Sequence, residues 1–232
     1  MFLPLYDGKP LVNIHRSWVN WALIAANIII FFGFQKTTGG DKIYLSLGLI
    51  PAVVNDLVNL PVEAVWVPED LTYITYAFLH GDTLHLIGNM LFLWVFGDNI
   101  EDAMGHVKYF IFYIGCSVFA GFAHSAFFTA SEGPLIGASG AVAGIIAAYL
   151  ILHPKVRVWV LALGKIPLPI SALWCLGAWI ALQVFQLLTN SDNQVSWIAH
   201  VGGIVAGAIL VLVLKHPHVP LFDRTTENNA AK

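Results

Sequence analysis

The sequence predicts an all-α membrane protein: a bundle of six transmembrane helices, with a long outer loop between helices 1 and 2 lying in the membrane interface. Three observations carry that expectation. Of 232 residues, 58% are hydrophobic and only 11% charged, with a mean hydropathy of +0.74, whereas soluble domains run roughly a quarter charged. Six apolar stretches approach the roughly 20 residues that cross a bilayer; they lie at about 18–34, 83–100, 109–128, 139–153, 169–188 and 197–214. The basic residues are also segregated by side. An even number of spans puts both termini together, with Lys9, Arg16, Lys108, Lys155, Arg157, Lys165, Lys215, Arg224 and Lys232, and leaves only Lys36 and Lys42 opposite. The positive-inside rule then places both termini in the cytoplasm.

Each element follows in order. The first stretch is preceded by Arg16 and followed by Gln35-Lys36-Thr37-Thr38 rather than a small-residue cleavage site, so it reads as an uncleaved span. The loop 35–82 carries six acids, Asp41, Asp56, Glu63, Glu69, Asp70 and Asp82. It also holds apolar pieces, Tyr44 to Val54 and Leu57 to Val67, that are too short to cross and suit the interface. Residues 156–168 read as a short inner connector broken by proline, and the polar tail after Lys215 as loose. With no repeat or composition shift, 1–232 reads as one membrane domain with its core at about 18–215.

Some classes are excluded early. A net charge of −3 without a run of Lys or Arg offers nothing to nucleic acid. Cys116 and Cys175, far apart in apolar segments, suggest neither a disulfide nor a thiolate metal site.

Polar residues inside spans are costly and therefore functional candidates. Counted from the inner edge, Ser139 lies roughly 24 Å deep, His200 roughly 22 Å, His85 roughly 24 Å and Asn89 roughly 18 Å at 1.5 Å per residue. Four polar side chains from three spans thus share one layer of the outer half. The fourth span, Ser139 to His153, covers only roughly 21 Å against a hydrocarbon core of ~30 Å. Ser139 is therefore expected near a submerged helix N-terminus, where free N–H groups and the helix dipole favour an anion. A serine hydroxyl needs an adjacent base to become a nucleophile, and a neutral histidine suits that task near neutral pH. His200 is the candidate base. Asn89, His85 and the Ser139 N–H are candidate oxyanion donors. No carboxylate shares the layer, so a dyad is expected, with outer-loop Glu132 or Asp192 the only conceivable third members.

Plainer roles compete. Gly140 and Gly144 within GASGAVAG form a small-residue stripe that usually means close helix packing, and Gly203 and Gly207 on the sixth span supply a matching stripe. The two roles are compatible, because close approach of these helices would bring Ser139 to His200. His80 could support substrate or face water, and His124 reads as a structural contact. His153, His216 and His218 read as solvated at the inner interface, while Glu101 and Asp102 are expected to accept hydrogen bonds at the inner end of span two. A transporter or electron carrier would use His80, His85, His124 and His200 as metal or haem ligands, but no HExxH is present and Ser139 and Asn89 would go unexplained.

The residues His80-Gly81-Asp82-Thr83-Leu84-His85-Leu86-Ile87-Gly88-Asn89-Met90-Leu91-Phe92-Leu93-Trp94, Phe96-Gly97, Glu101, Gly105, Gly137-Ala138-Ser139-Gly140 and Ala199-His200-Val201-Gly202-Gly203 together resemble the rhomboid intramembrane serine proteases, of the bacterial type. Gly48-Leu49-Ile50-Pro51 is similar as well. The resemblance implies Ser139 as nucleophile, His200 as base and acid, and His85 with Asn89 at the oxyanion, with no metal and no cofactor. It further implies transmembrane protein substrates, single-span ones foremost, cleaved near their outer ends after a small residue, in a bacterial inner membrane. Substrate would enter past 169–188 and the loop Thr189 to Ser196. An inactive relative that only captures transmembrane helices is the alternative. Two departures stand out: Leu71-Thr72 replaces a Trp-Arg of some members, and Ala143 replaces a Tyr that would hold His200.

Overall fold

A computed structural model describes residues 3–162, 165–189 and 195–223. Each of the six apolar stretches contains a helix. We label the long helices α1 (Trp18–Ile29, prolonged by a π-helical Ile30–Gln35), α2 (Thr83–Phe92, a π-helical Leu93–Gly97, then Asp98–Met104), α3 (His106–Phe127), α4 (Ser139–Leu152), α5 (Ala172–Thr189) and α6 (Trp197–Leu214). Four are long and apolar enough to cross a membrane: Trp18–Gln35, α3, α5 and α6. α4 has only 14 residues, and α2 ends in Asp98, Glu101 and Asp102.

α4 is the axis of the bundle. Gly140 through Tyr149 and Leu152 are buried, between α3 and α6. The glycine stripes meet as expected. A Cβ on Gly203 would lie 2.0 Å from the Gly140 carbonyl oxygen, and one on Gly207 2.2 Å from that of Gly144. Backbone contact at these positions excludes any larger residue and brings the starts of α4 and α6 together.

The inner end is tied by carboxylates. Glu101 is fully buried and accepts the Val19 and Asn20 amides at 3.0 and 2.7 Å, capping the positive end of α1. Asp102 accepts the amides of Val12, Asn13 and Ile14. Asp7 accepts from Tyr149 Oη–H at 2.7 Å and Asn99 Nδ2–H at 2.8 Å. Where the π-helical turn of α2 frees the Leu93 carbonyl, Asn20 Nδ2 donates to it at 2.9 Å.

Three expectations need correction. The fold is mostly helical, but 156–168 is not merely a short connector broken by proline: Arg157–Ala162 (β2) and Ile166–Ser171 (β3) form an antiparallel hairpin, joined on the other side of β2 by Leu3–Tyr6 (β1). Pairing between residue 3 and residue 161 is non-local and leaves no local periodic signal. α5 accordingly starts at Ala172, after the strand has used 169–171. The tail is docked through Asp223 rather than loose, with Phe222 N–H on the Ile151 carbonyl and Asp223 N–H on that of Leu152 at the end of α4. His153 is correspondingly buried, its Nδ1 at 3.1 Å from Asp223 Oδ1.

The outer loop is built of short helices, Gly40–Leu47 and Pro51–Val54 among them. Leu49 exchanges backbone hydrogen bonds with Leu135, and Ala52 N–H reaches Ser131, so the loop grips the segment that leads into Ser139. Its far side exposes Leu57, Val62, Val65 and Trp66, the composition of a segment lying in a membrane interface.

Candidate active site

Ser139 is the first residue of α4, reached through Gly137 at φ +122°. That conformation is open to glycine alone in practice, and a Cβ there would collide with the His85 ring at 2.7 Å. The glycine therefore sets the entry into the helix and lets His85 approach the serine. The first amides of α4 lack intrahelical acceptors, and no side chain caps them.

Ser139 Oγ lies 2.9 Å from His200 Nε2. His200 sits in the first turn of α6, which Ser196 caps by accepting the Ala199 amide. The other ring nitrogen, Nδ1, is 2.7 Å from Gln183 Oε1 on α5. An amide oxygen only accepts, so Nδ1 carries the proton and Nε2 is left to accept the Ser139 hydroxyl proton. Trp179 and Trp197 flank the imidazole, at 6.1 and 5.8 Å between ring centroids. These groups hold the ring where Ala143 supplies no aromatic side chain.

Asn89 is buried, and its Nδ2 lies 3.0 Å from His80 Nε2. His80 is fully buried, so of its two expected roles, supporting substrate or facing water, the second does not hold. Its backbone is gripped by Gln35, which both accepts from its N–H and donates to its carbonyl, and by Tyr44 Oη–H. With one Asn89 N–H spent on His80, the second stays available to a ligand. His85 stands one turn earlier on the same helix, its ring 5.1 Å from that of His80. Asp82 caps α2 through the His85 amide, which holds the Asp82 carboxyl below its ordinary range.

The sequence-derived residues Ser139, His200, His85 and Asn89 are thus placed around one space. Glu132 is exposed in its loop, and the ring nitrogens of His200 are engaged by Gln183 and Ser139 instead, while Asp192 falls outside the described residues, as does most of the loop Thr189 to Ser196. The third partner of the histidine is Gln183 on α5, which sequence reading did not single out. Its signal was an amide in the middle of an apolar helix. His124 pairs with Ser196 Oγ at 2.6 Å, a contact that fixes the start of α6. Among the described residues no three His, Cys, Asp or Glu gather to hold a metal ion, so His80, His85, His124 and His200 do not form a common ligand set.

The Rhomboid domain family model matches residues 68–217. The chain is 28% identical to "Rhomboid protein 1, mitochondrial" of Saccharomyces cerevisiae, over 77% of this chain and 54% of that protein. It is 30% identical to "Presenilin-associated rhomboid-like protein A, mitochondrial" of Danio rerio, over 59% of this chain and 36% of that protein, and 26% identical to "Rhomboid protease GlpG" of Yersinia pseudotuberculosis, over 60% and 46%. The chain spans about half or less of the length of these relatives. Mitochondrial and bacterial proteins both appear among them, so the resemblance is not confined to a bacterial type. With a family match over most of its length and several helices able to cross a bilayer, the chain is a multi-pass integral membrane protein and belongs to the rhomboid family.

Proposed function

We propose that the protein is an intramembrane serine endopeptidase that hydrolyses peptide bonds in or near transmembrane segments of other proteins. The observation that carries this reading is the Ser139 Oγ to His200 Nε2 contact of 2.9 Å, with Nδ1 held by Gln183. The Ser139 hydroxyl attacks the carbonyl carbon as its proton passes to Nε2. The oxyanion is held by Asn89 Nδ2–H, the His85 ring and the helix-start amide of Ser139. His200 then returns the proton to the leaving amine, and a water, deprotonated by the same nitrogen, releases the acyl group and restores the serine. Gln183 keeps the tautomer correct without adding a charge to the buried site, where an unpaired carboxylate would be expensive.

The fit of substrate follows from depth. The serine is submerged by the short α4 yet opens to the outer side, so the cut would fall near the outer end of a single-span substrate. Both termini are placed on the basic side, the cytoplasmic face of a bacterial inner membrane. We take 1–232 as one domain, since β1 and α1 pack onto the family-matched region. Replacing Ser139 by Ala is expected to lower cleavage of a reporter transmembrane substrate by about 10⁴-fold and to abolish labelling by a fluorophosphonate. Unchanged cleavage refutes the assignment; wild type that neither cleaves nor takes the fluorophosphonate favours an inactive helix-binding role, which Ser139-dependent labelling excludes.

A further inference from the structure

The sheet has an outer face that nothing among the described residues covers. Side chains alternate along a strand, so Val158 and Val160 enter the bundle core while Arg157, Trp159 and Leu161 point away. The register sets Leu3 and Pro167 against Leu161, and Tyr6 and Pro169 against Trp159. The result is an apolar, aromatic face, with Tyr6 62% and Trp159 43% exposed.

Its position and edges suit a lipid surface. β3 passes directly into α5, a helix able to cross the membrane. β1 lies beside Thr83–Phe92 and Leu93–Gly97 of α2, so the sheet leans on the flank of the bundle. A proline in a ladder must turn its nitrogen away from the neighbouring strand. Pro4 on one edge strand and Pro167 and Pro169 on the other thus remove outward N–H groups from both open edges, and unpaired donors are what lipid tolerates least. From Pro154 to Ser191 the chain has three cations, Lys155, Arg157 and Lys165, and no carboxylate. All three are exposed, and among the described residues none of their side chains forms an ion pair; Asp223 is engaged by the Lys155 backbone N–H at 2.9 Å.

We propose that this sheet is an interfacial plate that binds anionic phospholipid of the inner leaflet, with Trp159 among the upper acyl chains and Lys155, Arg157 and Lys165 on headgroup phosphates. Basic residues flanking an apolar, aromatic face are the chemistry that such a leaflet recognises. The proposal does not depend on the protease reading.

The test uses the full chain in vesicles of phosphatidylcholine mixed with phosphatidylglycerol, with bromine on the acyl chains of one lipid or the other. The Trp159 share of quenching is the difference between wild type and Trp159→Phe. Brominated phosphatidylglycerol should quench that share more than brominated phosphatidylcholine at equal mole fraction, and Lys155→Gln/Arg157→Gln/Lys165→Gln should abolish the excess, at about fivefold in relative lipid affinity per cation. The triple variant alters exposed side chains only and keeps every Trp, so the total emission of the protein reports its folding. Equal quenching by both lipids, an excess that survives in the triple variant, or quenching of Trp159 by aqueous iodide alone would each overturn the proposal. The last outcome would mark the face as one for a soluble partner.

Discussion

The outer and inner ends of the bundle both bury polar groups, but with opposite chemistry. At the outer end the groups are neutral: half-buried Ser139 contacts buried His200, which contacts Gln183, and buried Asn89 contacts buried His80, at 2.7 to 3.0 Å. At the inner end they are carboxylates, with Glu101, Asp102 and Asp7 accepting from backbone amides and from Asn and Tyr side chains. The difference follows from what each end must do. A carboxylate saturated by N–H donors is a rigid knot that fixes chain segments and has no capacity left for chemistry. A neutral chain of donors and acceptors rests without charge in a poorly hydrated site, and the imidazolium and oxyanion arise together only as Ser139 attacks and its proton passes to His200.

Four experiments sharpen this contrast. The largest effect is expected from Asn89→Ala, which removes a donor to the oxyanion; kcat should fall by about 10²-fold with KM little changed, in proteoliposome kinetics. A tenfold rise in KM at constant kcat would instead make Asn89 a substrate-binding residue.

Gln183→Leu comes next. It leaves His200 Nδ1–H without its acceptor, and we expect a loss of about 10-fold or more in kcat, with folding monitored by thermal stability. Gln183→Glu restores an acceptor but adds a charge that favours the imidazolium, so its pH-rate profile should lie at higher pH than that of wild type. Identical profiles would show that Gln183 serves packing alone.

At the inner end the readout should be stability. Glu101→Gln replaces one acceptor oxygen by a donor facing the α1 amides, at a cost of about 1–3 kcal/mol, seen as a lower Tm with activity per folded molecule preserved. Loss of activity without loss of stability would break the division between the two ends.

The smallest effect concerns pH. Burial raises the Asp7 carboxyl above the ordinary carboxylate value, partly opposed by the Tyr149 hydrogen bond. The folded protein therefore holds this proton more tightly than the unfolded chain does. Stability from this group is present below the unfolded pKa and is lost as pH rises through the folded one. Asp7→Asn should flatten Tm against pH across that window; an unchanged slope would mean that another group titrates there.

The clearest sequence signals were those that depend on one helix at a time. Depth along each span placed Ser139, His200, His85 and Asn89 in one layer, and the spacing of Gly140, Gly144, Gly203 and Gly207 predicted which two helices touch. Signals that needed two helices at once were lost. Gln183 and His80 gained their partners through the rotation of α5 and the path of the outer loop, which hydropathy does not encode. The sheet was hidden in the same way, since its strands are short apolar runs, two of them interrupted by proline, and β1 pairs with β2 across more than 150 residues.

By itself the sequence determined that this chain lives in a membrane, how many apolar stretches it has, and that one serine stands at the start of a helix too short for the bilayer. Those properties follow from composition and from the fixed rise of a helix. Only the tertiary structure decided which hydrogen-bond acceptor holds His200, that Asp223 closes the end of α4, and that the connector is a sheet with an uncovered face. Each of these depends on which groups packing brings within 3 Å or so of one another, and hydrogen bonds are specified at that range.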